Sequence, residues 1–125
     1  MNRAFPIILT LLFSLSAVGQ TIDQVRQELH RQRVPHPDIV LAQARLETGN
    51  FKSDLYKRTG NLFGIKHDGR YAAYRHWRES IADYKKRISS RYKQGENYYA
   101  FLRRINYAED GNYFRKLDKI IRTSK

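Results

Sequence analysis

Proline and glycine residues divide this 125-residue chain into short segments, and that spacing limits the folds open to it. The breaks fall at 34–37 (VPHP), Gly49, Gly60, Gly69 and 94–97 (QGEN). Most intervals between them carry apolar residues at helical spacing, and one carries a hairpin signal. The expected architecture is therefore mainly helical α+β, with about five short helices and one short β-hairpin.

The periodicity assigns each element to a stretch of sequence. Pro37 suits the first turn of the second helix, and Gly49 suits its C-terminal stop. Residues 50–59 are predicted to form a loop or a single turn. An Asp-Gly turn joins two predicted strands. The predicted helices span 21–32, 38–48, 78–92, 98–105 and 110–122, and the predicted strands span 62–66 and 70–75.

The N-terminal residues have the pattern of a secretory signal peptide. A positively charged start precedes the apolar stretch 4–15, and small residues precede Gln20. We expect residues 1–19 to be a signal peptide and residues 20–125 to form one domain, secreted or periplasmic and associated with the cell envelope. No membrane span is expected after cleavage. A retained N-terminal anchor is the alternative.

The charge balance predicts an anionic partner. The net charge is +12, and there is no cysteine for thiol or cysteine–metal chemistry. An exported chain meets anionic wall or envelope polymers before nucleic acid, so no nucleic acid is expected as partner. The basic face predicted for such polymers lies at Lys85, Lys86, Arg87, Arg91 and Lys93; simple solvation of these side chains is the alternative.

Glu47 is the residue that most favours catalysis. Helical spacing places it beside Val40 and Gln43, at the edge of an apolar face. Burial there, and the negative end of the helix dipole, both raise a carboxyl pKa. A protonated carboxylic acid near neutral pH is what a glycosidase needs as general acid. A surface glutamate paired with a lysine or bonded to a loop is the alternative.

Five sequence blocks resemble the endo-β-N-acetylglucosaminidase domain of glycoside hydrolase family 73, in the order of that family. They are 42–49 (AQARLETG), 61–66 (NLFGIK), 71–74 (YAAY), Trp77 with 80–84 (SIADY), and 107–113 (YAEDGNY). The resemblance implies a lysozyme-like α+β fold that cleaves peptidoglycan after N-acetylglucosamine. It assigns Glu47 as the catalytic acid and Tyr107 as a catalytic tyrosine lining the cleft.

The same resemblance suggests which residues contact the glycan. Asn61, Phe63 and Gly64 fall on the floor of the cleft, and Gly64 permits a close approach. Phe63 and Trp77 offer flat apolar faces to a sugar ring, with core packing as the alternative. Tyr71 and Asp68 complete the expected substrate contacts.

The short hairpin departs from many relatives, which carry a second carboxylate on a longer one. Asp68 is the candidate replacement, although an Asp-Gly residue ordinarily serves the turn itself. A substrate-assisted route, in which the 2-acetamido oxygen replaces the nucleophile, also remains open. The sequence does not decide between retention and inversion of configuration.

The predicted function is therefore a monomeric peptidoglycan hydrolase that acts on the glycan strand. A non-catalytic peptidoglycan-binding module, a muramidase or a lytic transglycosylase are the alternatives. No metal or cofactor is expected, because the histidines lack metal-ligand spacing; they are His30, His36, His67 and His76.

Overall fold

The computed structural model describes residues 17–108 and 111–124, with side chains from Thr21 onward. Most of the predicted signal peptide, residues 1–16, lies outside this part. Within it, no helix combines the length and the apolar character needed to cross a bilayer.

Helices make up most of the described chain. They are α1 (Ala17–Arg31), α2 (Pro37–Thr48), α3 (Asp54–Thr59), α4 (Trp77–Arg87), α5 (Tyr98–Arg104) and α6 (Gly111–Thr123), with a 3-10 turn at Ser89–Arg91. The strands are β1 (Lys66–His67) and β2 (Arg70–Tyr71), paired antiparallel. The prediction of a mainly helical α+β protein with one short hairpin is confirmed, with six helices in the described chain instead of about five.

The main difference in the helices is α3, which was predicted to be a loop or a single turn. The Ser53 side chain caps it by accepting a hydrogen bond from the Tyr56 amide at 3.2 Å, and Gly60 ends it with φ +66°. The predicted caps of α2 are confirmed: Pro37 lies in its first turn and Gly49 ends it with φ +56°.

The hairpin is shorter than predicted. His67 pairs with Arg70, so only Asp68 and Gly69 form the turn, with φ of +52° and +79°. Two positive φ angles in a two-residue loop define a type I′ turn, which an Asp-Gly pair favours. The strands predicted at 62–66 and 70–75 do not extend further. In the next pair the Ala72 amide still donates to the Ile65 carbonyl at 2.9 Å, but the Ile65 amide and the Ala72 carbonyl bond to the Asn61 side chain and not to each other.

Helix α2 lies at the centre of the fold and packs against α1 and α6. Thr48 is buried in the last turn of α2, at 1% exposure. Its hydroxyl donates to the Ala44 carbonyl at 2.7 Å and accepts from the Phe51 amide at 2.8 Å. Thr48 thereby holds the chain where it leaves α2. The residues that α2 buries are Val40, Leu41, Ala42, Gln43, Ala44 and Thr48.

A buried carboxylate links α1 to α4. Glu28 is 5% exposed and accepts hydrogen bonds from Arg31, from Gln32 Nε2 at 2.8 Å and from Arg78 Nε at 3.2 Å. The hydrogen bond from Arg31 is the main cause that lowers the pKa of Glu28 to about 2, against the opposing effect of desolvation. The link fixes the start of α4 relative to α1.

Candidate active site

An open groove of about 400 Å³ lies beside the C-terminal end of α2. Its walls come from that helix, from the segment leading into β1, from the end of α4 with the 3-10 turn, and from the segment after α5. The residues that line it are Glu47, Phe63, Gly64, Ile65, Lys66, Arg87, Ile88, Arg91 and Tyr107.

Glu47 lies in the last turn of α2 and is exposed to the groove. The expectation that it is buried on an apolar face is therefore corrected: the core takes the neighbouring face of α2, and Glu47 stands at the open edge. Its carboxyl makes no hydrogen bond or ion pair within residues 17–108 and 111–124. Desolvation by the groove walls still raises the pKa of Glu47 above that of an ordinary carboxyl, and the helix dipole acts in the same direction.

Gly64 faces this carboxyl. A Cβ atom built on Gly64 would lie 3.3 Å from Glu47 Oε2, and Gly64 has φ +65°. Both the backbone conformation and the space favour glycine at this position. The group that approaches Gly64 in the structure is the carboxyl of the candidate acid; the approach of a sugar ring stays a prediction.

Asn61 builds the floor instead of facing the groove. It is 3% exposed. Its amide nitrogen donates to the carbonyls of Ile65 and Ala72 at 2.8 and 3.0 Å, and its Oδ1 accepts from the amides of Phe63 and Ile65 at 3.2 and 3.1 Å. These bonds fully satisfy the side chain, so Asn61 positions the Gly64 loop and is not free to bind substrate directly.

Phe63 belongs to the groove lining. Its ring is buried, at 3% exposure for the residue, and packs against the Tyr84 ring with centroids 4.5 Å apart. The expected stacking of this ring on a sugar is therefore wrong, because the ring belongs to the core. The Phe63 carbonyl accepts a hydrogen bond from the Tyr107 hydroxyl at 3.4 Å.

Tyr107 stands at the end of a chain of hydrogen bonds. Gln43 Nε2 donates to the Tyr113 hydroxyl at 3.2 Å, and Tyr113 is hydrogen-bonded to Tyr107. Gln43 Oε1 accepts from the Tyr84 hydroxyl at 2.6 Å, and Tyr84 contacts the Tyr98 hydroxyl at 2.6 Å. Since Gln43 lies one turn before Glu47 on α2, the network fixes the tyrosine relative to the acid.

The Tyr107 phenol stays protonated over the working range of an enzyme. Desolvation raises its pKa well above the ordinary value, and the charges of Tyr113 and Glu47 raise it further. Tyr107 is therefore a hydrogen-bonding group beside Glu47 and not a second anion.

Three predicted contacts lie outside the groove lining. Asp68 is an exposed residue of the hairpin turn. Tyr71 is 49% exposed, with Lys66 Nζ 4.8 Å from its ring centroid. Trp77 begins α4, at the opposite end from the groove, and packs against the Arg78 guanidinium at 4.6 Å. The neighbour of Tyr71, Lys66, lines the groove.

The groove has a basic rim, formed by Lys66, Arg87 and Arg91. Arg87 and Arg91 belong to the basic face predicted from the sequence, whereas Lys66 was not predicted to join them. The basic face predicted at 85–93 is divided in the structure, because Lys85 Nζ donates to the Gln32 carbonyl of the α1 terminus at 2.6 Å.

In the part of the chain that the structure describes, histidine and acidic side chains form no cluster suited to a metal ion. Among the described residues that line the groove, Glu47 is the one acid. The described lining therefore does not contain the pair of carboxyl groups that many glycosidases use.

The sequence profile of the mannosyl-glycoprotein endo-β-N-acetylglucosaminidase (Glucosaminidase) family matches residues 22–125. No curated protein and no solved structure gives a significant match to the chain. The match includes the hairpin and every residue that lines the groove. It also includes all six helices, except for the first residues of α1. The chain therefore belongs to the glucosaminidase family of glycoside hydrolases.

Proposed function

We propose that this protein is a secreted or periplasmic peptidoglycan hydrolase that cleaves the β-1,4 bond after N-acetylglucosamine, with Glu47 as its general acid. The observation that carries the proposal is the Glu47 carboxyl, which is accessible from an open groove and yet has a raised pKa. A carboxyl of this kind keeps its proton at a pH where an ordinary glutamic acid has lost it. The groove is open, as a binding site for a long glycan strand must be.

In the proposed first step, Glu47 donates its proton to the glycosidic oxygen while the bond from that oxygen to C1 breaks. The 2-acetamido carbonyl oxygen of the same N-acetylglucosamine attacks C1 and forms a cyclic oxazolinium ion. In the second step, the Glu47 carboxylate takes a proton from water, and that water oxygen attacks C1 and reopens the ring. Glu47 ends protonated, ready for the next cycle.

The substrate-assisted route is favoured because the described lining offers Glu47 as its one carboxyl. Both classical routes use two carboxyl groups, about 5 to 10 Å apart. Asp68, the earlier candidate for the second, lies in the hairpin turn and outside the groove lining.

Tyr107 has a supporting role in this proposal. Its hydroxyl is held by the Phe63 carbonyl and by Tyr113 and stays neutral. A fixed neutral dipole beside the acid orients the acetamido group and stabilises the positive charge that develops near C1.

Digestion of purified sacculi tests the proposal. The expected new chain end is a reducing N-acetylglucosamine. Because the route makes two displacements at C1, that end should first have the β configuration, which NMR can record in the first minutes of the digest. A reducing N-acetylmuramic acid or an anhydro sugar would reassign the enzyme as a muramidase or a lytic transglycosylase. An α-configured product would contradict substrate assistance.

The absence of a second carboxyl from the described lining also favours one other candidate, a non-catalytic module that binds peptidoglycan. Binding of sacculi by wild-type protein without release of any reducing end would favour this module, and measurable hydrolysis would exclude it.

A further inference from the structure

The rim of the Glu47 groove carries a concentrated positive charge. Lys66, Arg87 and Arg91 all line the groove and all are exposed, whereas Glu47 is the one acid in the described lining. We propose that these three side chains form a carboxylate-binding site, so that the enzyme selects glycan strands that carry free carboxyl groups over neutral ones. The inference deepens the proposed function and depends on it.

The three cations come from three separate structural elements. Lys66 belongs to β1, Arg87 ends α4, and Arg91 ends the 3-10 turn. The fold therefore brings together at the groove charges that are up to 25 positions apart in sequence. Such a convergence provides several donors to one strand of substrate.

Arg87 is held in place by a hydrogen-bonded carboxylate. Its Nε donates to Asp83 Oδ1 at 2.8 Å, and Asp83 Oδ2 accepts from the Tyr74 hydroxyl at 2.6 Å and contacts His67 Nε2 at 2.9 Å. The bond uses only Nε of Arg87, so the terminal nitrogens are without a partner in the described chain. A guanidinium held in this way is pre-organised to bind a carboxylate.

Lys66 and Arg91 carry charges that no acid neutralises. Lys66 Nζ lies 4.8 Å from the centroid of the Tyr71 ring, and neither side chain forms an ion pair within residues 17–108 and 111–124. The Tyr71 contact restrains the ammonium group without cancelling its charge. A ligand carboxylate would therefore meet uncompensated positive charge.

Free carboxyl groups on a peptidoglycan strand have two sources. One is the lactyl group of N-acetylmuramic acid where the stem peptide has been removed, and the other is the stem peptide itself. The chemistry at the rim is the same for both, so the substrates used in the test must separate them.

The test compares a rim variant, Lys66→Gln with Arg87→Gln and Arg91→Gln, with a control that loses the same charge on exposed positions of α6: Arg115→Gln, Lys116→Gln and Lys119→Gln. Each is assayed on peptide-bearing glycan, on glycan stripped by an amidase, and on neutral chito-oligosaccharide. Since the contacts bind substrate and transition state alike, the rim variant should raise KM about tenfold on an anionic glycan with little change in kcat.

A KM increase on peptide-bearing glycan alone assigns the peptide carboxyls, and an increase on stripped glycan alone assigns the lactyl group. Equal losses in the rim and control variants, or an equal loss on the neutral oligosaccharide, would overturn the proposal.

A binding assay separates this proposal from the proposed function. Glu47→Gln protein is sedimented with native sacculi and with sacculi whose carboxyls have been converted to neutral amides. The proposal is supported if Glu47→Gln protein binds amidated sacculi more weakly than native sacculi, and if adding the rim substitutions does not weaken binding to amidated sacculi further. This result supports the carboxylate site even where no hydrolysis is detected. Unchanged binding after amidation would contradict it.

Discussion

Glu47 Oε2 lies 3.3 Å from the position that a Cβ atom on Gly64 would occupy. The glycine therefore sets the space available to the candidate acid, and its φ of +65° is a conformation that residues with a side chain rarely adopt. Asn61 holds the loop that carries Gly64. The position of the acid thus depends on a buried amide as well as on α2.

Replacing Gly64 with alanine should reduce activity more than it reduces stability. An alanine in the left-handed backbone conformation lowers the free energy of unfolding by about 1 kcal/mol. At Gly64 the added methyl group also displaces the Glu47 carboxyl. We expect kcat to fall about tenfold or more. Gly95→Ala is the control, because Gly95 has φ +88° and no atom within 4 Å of its Cβ position. Equal kcat in the two variants, measured on soluble glycan, would show that the contact has no role.

Removal of the Tyr107 hydroxyl should lower kcat and leave the fold intact. Tyr107→Phe loses a neutral dipole beside Glu47, and we expect kcat to fall roughly 10- to 100-fold with a small change in KM. Tyr99→Phe is the matched control, since Tyr99 packs on Phe114 and does not line the groove. Full activity in Tyr107→Phe would restrict Tyr107 to a structural role.

The pH profile should report the proton on Glu47. Desolvation raises its pKa above the ordinary value of 4.5, and only the protonated acid can donate to the leaving oxygen. We therefore expect kcat/KM to fall as pH rises, with a midpoint above 4.5. A profile whose alkaline limb has its midpoint at or below 4.5 would contradict the assignment of the proton donor.

Glu28 should stabilise the protein in a pH-dependent manner. Its pKa is lowered to about 2 in the folded protein from 4.5, so its contribution is present above pH 4.5 and is lost as pH falls towards 2. Glu28→Gln should reduce the free energy of unfolding by on the order of 2 kcal/mol at pH 7. Asp23→Asn breaks an exposed pair on the same helix and should cost less than about 1 kcal/mol. Urea unfolding at pH 7 and pH 3 measures both, and an equal effect of Glu28→Gln at the two pH values would refute the linkage.

Local signals predicted the helices well because caps and spacing act over a few residues. Pro37 and Gly49 bound α2 as expected, and Asp68 with Gly69 form the expected turn. The strands were overestimated because the Asn61 side chain bonds to the Ile65 amide and the Ala72 carbonyl, which a longer ladder would pair with each other. Such a side-chain contact has no periodic signature.

The candidate site was predicted in part. Glu47, Gly64 and Tyr107 meet at the groove, but Phe63 packs in the core and Trp77 lies at the far end of α4. The spacing of residues along the sequence does not determine whether an aromatic side chain packs in the core or lines a groove. The basic rim also required the tertiary structure, since Lys66 and the two arginines meet only after the hairpin has packed beside α4.

The turnover of soluble glycan by Glu47→Gln, measured beside wild type, tests the role of Glu47 as the proton donor most directly. The amide has almost the same shape as the acid but has no proton of comparable acidity to donate, so kcat should fall by at least about a thousandfold. The thermal midpoint should not fall, because a carboxyl with a raised pKa does not stabilise the fold in its ionised form. Hydrolysis by Glu47→Gln at the wild-type rate would show that Glu47 is not the general acid.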